Sequence, residues 1–157
     1  MLTFVHAELV DTYAIVELLE ELDRFYGGTE FAPVEERAEE LRAMIFRERP
    51  AAYVLLAKDD QRVIGLASYS YLWPAIGLTQ SLYLKELYVR SAHRRQGVGR
   101  RLMERLLEIA AENQCSRLEW TTDRDNPLAL TFYTNLQYAE NPGKVLYRVE
   151  VHSGGGN

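Results

Sequence analysis

The stretch from Leu87 to Leu102, LYVRSAHRRQGVGRRL, constrains this chain more than any other. An apolar run ends at Val89, a short basic loop follows, and Gly97-Val98-Gly99 leads directly into a helical pattern. The first N–H groups of a helix have no partner inside it, and they point together along a dipole whose positive end faces out. Such a start is suited to phosphate. Glycine there permits positive φ and a close approach of the ligand to the backbone. Arg94, Arg95 and Arg100 would add charge-assisted contacts. The pattern narrows the ligand. Leu102 stands where a dinucleotide fingerprint has its third glycine, and no Gly-Lys-Ser/Thr follows, so neither a Rossmann motif nor a P-loop is complete. A Gly-x-Gly pair taken alone is more often a tight strand-to-helix turn than a binding site.

The rest of the chain supplies the elements around this turn. Leu2 to Val5 reads as a first strand, and Ile15, Leu18, Leu19, Leu22 and Phe25 repeat at helical spacing until Gly27-Gly28. Pro33 opens a second helix, with Leu41, Met44 and Ile45 on its apolar face, and Pro50 closes it. Tyr53 to Ala57 and Val63 to Tyr71 read as strands around an Asp59-Asp60-Gln61 turn, with Gly65 marking a bulge. Ser81 to Val89 is apolar on both alternating faces, which predicts a central strand carrying two charges, Lys85 and Glu86. Val98, Leu102, Leu106, Ile109 and Ala110 form the buried stripe of a long helix. Arg117 to Thr121 is a strand. Asn126-Pro127 caps and opens a last helix, and Val145 to Val151 is a final strand. The order β-α-α-β-β-β-α-β-α-β predicts an α/β fold: a mixed, mostly antiparallel central sheet with flanking helices. Residues 1–152 read as a single domain and residues 153–157 as a disordered tail.

Composition sets the partners. The net charge of -5 disfavours nucleic acid and anionic membranes and favours cationic substrates. No stretch has the apolar length of a membrane span, the N-terminus lacks the pattern of a signal peptide, and Cys115 is the single cysteine. These features predict a cytoplasmic protein without disulfides. His6, His93 and His152 match no metal-ligand spacing, so no metal is expected.

Arg94-Arg95-Gln96-Gly97-Val98-Gly99 resembles the Gln/Arg-x-x-Gly-x-Gly/Ala signature of the GNAT superfamily of N-acetyltransferases. Leu87-Tyr88-Val89 before it resembles that superfamily too. So do Asn126-Pro127-Leu128-Ala129-Leu130-Thr131-Phe132-Tyr133 and Asn135-Leu136-Gln137-Tyr138 after it. Within the superfamily, Tyr83 to Val89 and Leu118-Glu119-Trp120 look most like the diamine, polyamine and thialysine branch. That branch usually has two acids where this chain has Lys85-Glu86, so Lys85 argues against polyamine specificity.

The resemblance implies acetyl transfer from acetyl-CoA, the co-substrate, to a primary amine of a small molecule, by direct attack in a ternary complex. Other acceptors on the same fold are a protein N-terminus or a lysine side chain. A non-catalytic acyl-CoA-binding module is the remaining alternative. The resemblance also implies that the backbone of Leu87, Tyr88 and Val89 holds the pantetheine arm. The pyrophosphate falls to Arg94, Arg95, Gln96, Gly97, Val98, Gly99 and Arg100. Tyr133 is then the general acid for the leaving thiolate, where its pattern alone reads as a core aromatic. Glu86 is either the base that neutralises the amine or a counter-charge that binds it. Asn126 caps its helix and, by resemblance, contacts the CoA arm. The acids Glu20, Glu21, Asp23 and Glu30 either attract a cationic acceptor or form a solvated face. A homodimer is usual for the resembling branch.

Overall fold

The computed structural model describes residues 1–152. The chain forms two compact units, Met1–Thr121 and a second from Thr122 onward. In the first unit, β1 (Leu2–His6) is followed by α1 (Thr12–Phe25) and α2 (Val34–Ile45). Then come β2 (Tyr53–Asp59), β3 (Arg62–Leu72), β4 (Gln80–Val89), α3 (Val98–Glu112) and β5 (Cys115–Trp120). The second unit holds α4 (Pro127–Asn135). The five strands lie in the order β1-β2-β3-β4-β5. The first four are antiparallel to one another, and β5 runs parallel to β4.

In the first unit, α1, α2 and α3 form because their apolar residues recur at helical spacing, and they cover the faces of the sheet. Ile15, Leu18 and Leu22 of α1 and Ala38 and Leu41 of α2 pack with Val54, Leu56, Leu66 and Tyr88 of the sheet. The opposite face takes α3, whose Leu102, Met103 and Leu106 are fully buried. Gly65 of β3 lies under that helix. A Cβ there would sit 3.6 Å from the Leu102 side chain but only 3.1 Å from the Tyr88 carbonyl oxygen. The glycine therefore allows β3 and β4 to approach closely. The expected bulge falls beside it: Ala57 faces Gly65 while Lys58 faces Val63, which leaves Ile64 as the extra residue.

Two expectations need correction. The faces of β4 do not alternate without a break. Ser68 pairs with Glu86 but Tyr69 pairs with Leu84, so Lys85 is bulged out and exposed. The bulge reverses the face of everything beyond it. Leu82 and Leu84 therefore share a face with Leu87 and Val89, and Tyr83 shares one with Glu86 and Tyr88. This accounts for the two charges in the strand: one is expelled by the bulge, and the other is turned to the α1–α2 side. The second correction concerns residues 145–151. They form no strand, and the apolar side chains of Val145, Tyr147, Val149 and Val151 are exposed. An alternating segment has no ladder without a neighbour to pair with. The expected tail, 153–157, lies outside the described residues.

Polar anchors fix the sheet edges. His6 Nε2 lies 2.6 Å from the hydroxyl of buried Tyr69, which stacks on Tyr53. Burial first, then the charge of Arg105, hold His6 below its ordinary pKa. A group depressed in the folded state contributes stability above its unfolded pKa, and that stability is lost as pH falls through it. Urea midpoints should therefore drop between about pH 7.5 and 5.5, and the drop should be shallower in His6→Gln, which cannot take up the proton. Replacing Gly65 by valine should cost about 1–3 kcal/mol in the same titration, because its Cβ has no room against the β4 backbone.

Candidate functional site

The site begins where β4 outruns its neighbour. β5 pairs with β4 only from Gln80 to Leu84, yet β4 continues to Val89 against β3. Among the described residues, the backbone from Glu86 to Val89 thus has a strand on one side only. An extended ligand with amide groups can lie along such an edge as an added strand.

At the end of this edge the chain turns into α3. Ser91–His93 forms a short helical turn, Arg95 has φ 62° and Gly97 has φ 80°. Gly97 occupies the position before the helix, and no side chain caps it. The first helical hydrogen bond at this end runs from the Arg101 N–H to the Gly97 carbonyl, 3.1 Å. The N–H groups of Val98, Gly99 and Arg100 therefore open outward. Arg95, Gln96 and Arg100 are exposed beside them, and neither arginine makes an ion pair among the described residues. The Nδ1 atom of His93, in the same turn, is buried without a partner. These groups fit a phosphate-bearing ligand.

The other arginines of the cluster are engaged elsewhere. Arg94 donates to the Val89 carbonyl, 3.0 Å, and its guanidinium lies over the rings of Phe25 and Tyr88. It therefore joins α1 to the end of β4 and occupies one carbonyl of the open edge. Arg90 donates to the Val63 carbonyl at 2.9 Å and pairs with Glu21 and Glu17 of α1 at 3.0 and 3.2 Å. Arg101 lies over Phe4, and Arg105 pairs with Glu108. Sequence proximity alone does not separate these roles from those of Arg95 and Arg100.

On the α1–α2 side of the sheet runs a cleft of about 390 Å³. Its walls are largely apolar, including Leu19, Leu41, Met44 and Leu66, with Asp23, Glu40 and Ser68 among its polar groups. Ser68 is the register partner of Glu86, so Glu86 stands on the face along which this cleft runs. Of the acids near the end of α1, Glu20 is paired with Arg37 and Arg24 and Glu21 with Arg90. Asp23 lines the cleft. Tyr88 itself is buried under Arg94, and burial raises its phenol above the ordinary value.

Two polar pairs linking β4 to the chain at and just after β5 escape a reading by motif. Ser81 Oγ donates to Glu119 at 2.7 Å, and the Tyr83 hydroxyl lies 3.5 Å from Thr121 Oγ1. In the sequence their one signal is the pair of hydroxyls two positions apart, at Ser81 and Tyr83.

In the second unit, the Asn126 side chain accepts from the Ala129 N–H at 3.2 Å, with Pro127 in the first turn. The helix cap therefore stands as expected. Tyr133 lies seven residues on, two turns later, and so on the same side of α4. Its ring meets Phe132 edge-on at 5.0 Å.

Comparison with known proteins follows this geometry. The profile of the acetyltransferase (GNAT) family matches residues 15–138. Human spermidine/spermine N(1)-acetyltransferase-like protein 1 is 28% identical over 153 residues, covering 91% of this chain and 22% of that protein. The thialysine N-epsilon-acetyltransferase of Caenorhabditis elegans is 29% identical over 101 residues, covering 64% of this chain and 61% of that one. The chain thus spans less than two thirds of the length of either relative. Among solved structures, the integron cassette protein VCH_CASS6 from the mobile metagenome of V. cholerae superposes with a TM-score of 0.88 at 31% identity. The superposition covers 96% of this chain and 93% of the other.

If the start of α3 holds phosphate, neutralising Arg95 and Arg100 together should weaken binding of inorganic pyrophosphate about tenfold or more. The salt dependence of binding should become shallower. Neutralising Arg101, which lies over Phe4, should leave both nearly unchanged; equal loss in the two variants would contradict the assignment.

Proposed function

The chain belongs to the acetyltransferase (GNAT) family, and from that premise we propose that it transfers an acetyl group from acetyl-CoA to a primary amine of a small molecule. One observation supports this reading above the rest. The uncapped start of α3, flanked by Arg95 and Arg100, closes the open edge of a strand that also carries Glu86 on the cleft side. A phosphate holder, a strand edge for an amide-bearing arm and a carboxylate thus follow one another along a single stretch of chain.

Residues 1–152 then act as one catalytic domain. The amides of Val98, Gly99 and Arg100, with Arg95, Gln96 and Gly97, hold the pyrophosphate. The open edge from Leu87 to Val89 takes the pantetheine amides, with Arg94 bracing its far end. An N–H of that edge near Leu87 polarises the thioester carbonyl as an oxyanion donor does. Asn126 adds a contact to the CoA arm besides capping α4. The acceptor enters by the cleft between α1, α2 and the sheet, whose size suits a small molecule.

An alkylammonium with a pKa about 10.4 is almost wholly protonated at neutral pH, so it must lose a proton before it attacks. Glu86 takes that proton, directly or through a water. The amine nitrogen forms its bond to the acyl carbon and the carbon–sulfur bond breaks, all within one ternary complex. Tyr133 gives its phenolic proton to the departing sulfur, a transfer only slightly uphill to a thiol of pKa about 8.5. The names of the relatives, spermidine/spermine and thialysine acetyltransferases, agree with an amine acceptor. Lys85 distinguishes this chain from that branch, and its bulge holds the positive charge outside the strand. The protein is expected to work in the cytoplasm as a homodimer, on neither nucleic acid nor membrane.

The test pairs binding with turnover. Acetyl-CoA should raise the melting temperature, and thiol should be released with at least one amine from a panel of diamines, thialysine, amino acids and aminoglycosides. Tyr133→Phe should lower kcat about 100-fold or more while keeping the acetyl-CoA stabilisation. Glu86→Gln should lower kcat and flatten the acidic limb of the pH profile; a rise in KM alone would make it a binding residue. No stabilisation by acetyl-CoA would overturn the proposal as a whole.

A further inference from the structure

Strand register fixes the order of groups along the floor of the cleft. Leu66 lies opposite Tyr88, and two residues along β3 Ser68 lies opposite Glu86. Val54 of β2 flanks Ser68 on its other side. Two residues before Val54, and so further from the turn into α3, the lining reaches Ala52. Met44 and Ile45 of α2 stand at the same end, where the Ala51 N–H donates to the Met44 carbonyl at 2.8 Å. The cleft therefore runs from the sheet face that carries Glu86 to a far end of Met44, Ile45 and Ala52, none of which bears a charge.

The charged groups of the lining stand elsewhere or are already engaged. Arg37 donates to Glu20 at 3.3 Å and to the Val16 carbonyl at 3.0 Å, and its guanidinium lies over the Phe31 ring. A carboxylate on the acceptor would have to compete with Glu20 for it, and a second ammonium would be repelled by it. Asp23 precedes by two residues Phe25, which meets Arg94 of the turn, so this acid stands at the near end. Glu40 is one helical turn before Met44 but is exposed, where water screens it.

We propose that the acceptor is a primary monoamine with an apolar body. Its amino group sits by Glu86 and Ser68, and its carbon skeleton extends along the cleft to Met44. This inference rests on the transfer reading above and names its substrate class. An apolar chain gives up its water favourably against Leu19, Leu41 and Val54. An ammonium at the far end would lose water with no acid beside it among Met44, Ile45 and Ala52. Met44 sets the specificity: it is 54% exposed, unbranched and adaptable, so it can close over tails of different length. The protons balance. The ammonium gives one to Glu86 before attack, and the nitrogen loses a second as the carbon–sulfur bond breaks, matched by the one that the sulfur gains.

The test measures thiol release from acetyl-CoA with matched amines. From ethylamine to hexylamine, kcat/KM should climb about fourfold for each methylene. Hexylamine should exceed 1,5-diaminopentane, which has an ammonium in place of its last methyl, by about 100-fold or more. Pentylamine should likewise exceed 2-aminohexanoic acid, which adds a carboxylate beside the amine. Met44→Glu puts a carboxylate at the far end of the cleft, so it should lower the ratio of hexylamine to 1,5-diaminopentane about tenfold or more. Stabilisation by acetyl-CoA reports that this variant is folded. A diamine or amino acid turned over faster than its alkylamine counterpart would overturn the acceptor class and leave the transfer standing. Hexylamine that stabilises the CoA-bound protein yet releases no thiol would keep the class and overturn the transfer. Hexylamine that does neither would overturn the class. An unmoved ratio in folded Met44→Glu would overturn the placement of the tail.

Discussion

The mismatch in length between β4 and β5 is the constraint on which the rest of the site depends. Had the two strands paired to their ends, the backbone from Glu86 to Val89 would be committed on both sides. Pairing stops at Leu84 and Trp120 instead, immediately before the bulge at Lys85. The bulge and the stop act together. A bulge interrupts the ladder and increases local twist, so it turns the later part of β4 away from the direction that β5 follows. It also exchanges the faces. Without it, Glu86 would lie on the α3 side among Leu82 and Leu84, where an ionised carboxylate would lack solvation. With it, the carboxylate lies on the face of the cleft, next to Ser68.

The arginines show how the fold divides a charge cluster into parts. Arg90 is 12% exposed and could not stay buried without Glu17, Glu21 and the Val63 carbonyl around it. Arg94 is held by a carbonyl and two aromatic faces. Both reach from the end of β4 to α1, so the helix that lines the cleft is fastened to the turn that opens α3. Among the described residues, Arg95 and Arg100 have no such partner, which is why the proposed function assigns them to the pyrophosphate. An acidic chain can therefore present a local positive field without an overall positive charge.

Much of this was legible in the sequence because it rests on local physics. Gly97 at positive φ, the Asn126 cap with Pro127, and the apolar stripes of α1 and α3 each follow from a few neighbouring residues. The element order through α4 follows from them as well. What was not legible depends on pairing over distance. The bulge at Lys85 is a matter of register against β3, and no local pattern separates it from a regular strand. The fate of residues 145–151 depends on whether an edge is offered to them, so an alternating pattern predicts the capacity for a strand and not its presence. The same holds for Glu20 and Glu21, which read as an acidic patch near a pocket. Arg37 and Arg90, far away in sequence, take both of them.

These long-range commitments also bear on selectivity. Glu20 and Glu21, held by arginines, do not line the cleft, whose negative groups are Asp23 and Glu40, with Glu86 on the same sheet face beside it. Arg37, itself only 15% exposed, contributes a positive group to the same lining. The cleft is therefore mixed in charge and largely apolar in wall, which is a poor match for a long polycation. Under the proposed function a compact amine with an apolar body would suit it better, its ammonium near an acid and its carbon skeleton against Leu19, Leu41 and Met44. Lys85, bulged out of β4 and exposed, adds a positive charge near the Glu86 face, which would repel additional positive charge on an acceptor bound there under the proposed function. Under the proposed function, both features would disfavour multiply charged acceptors.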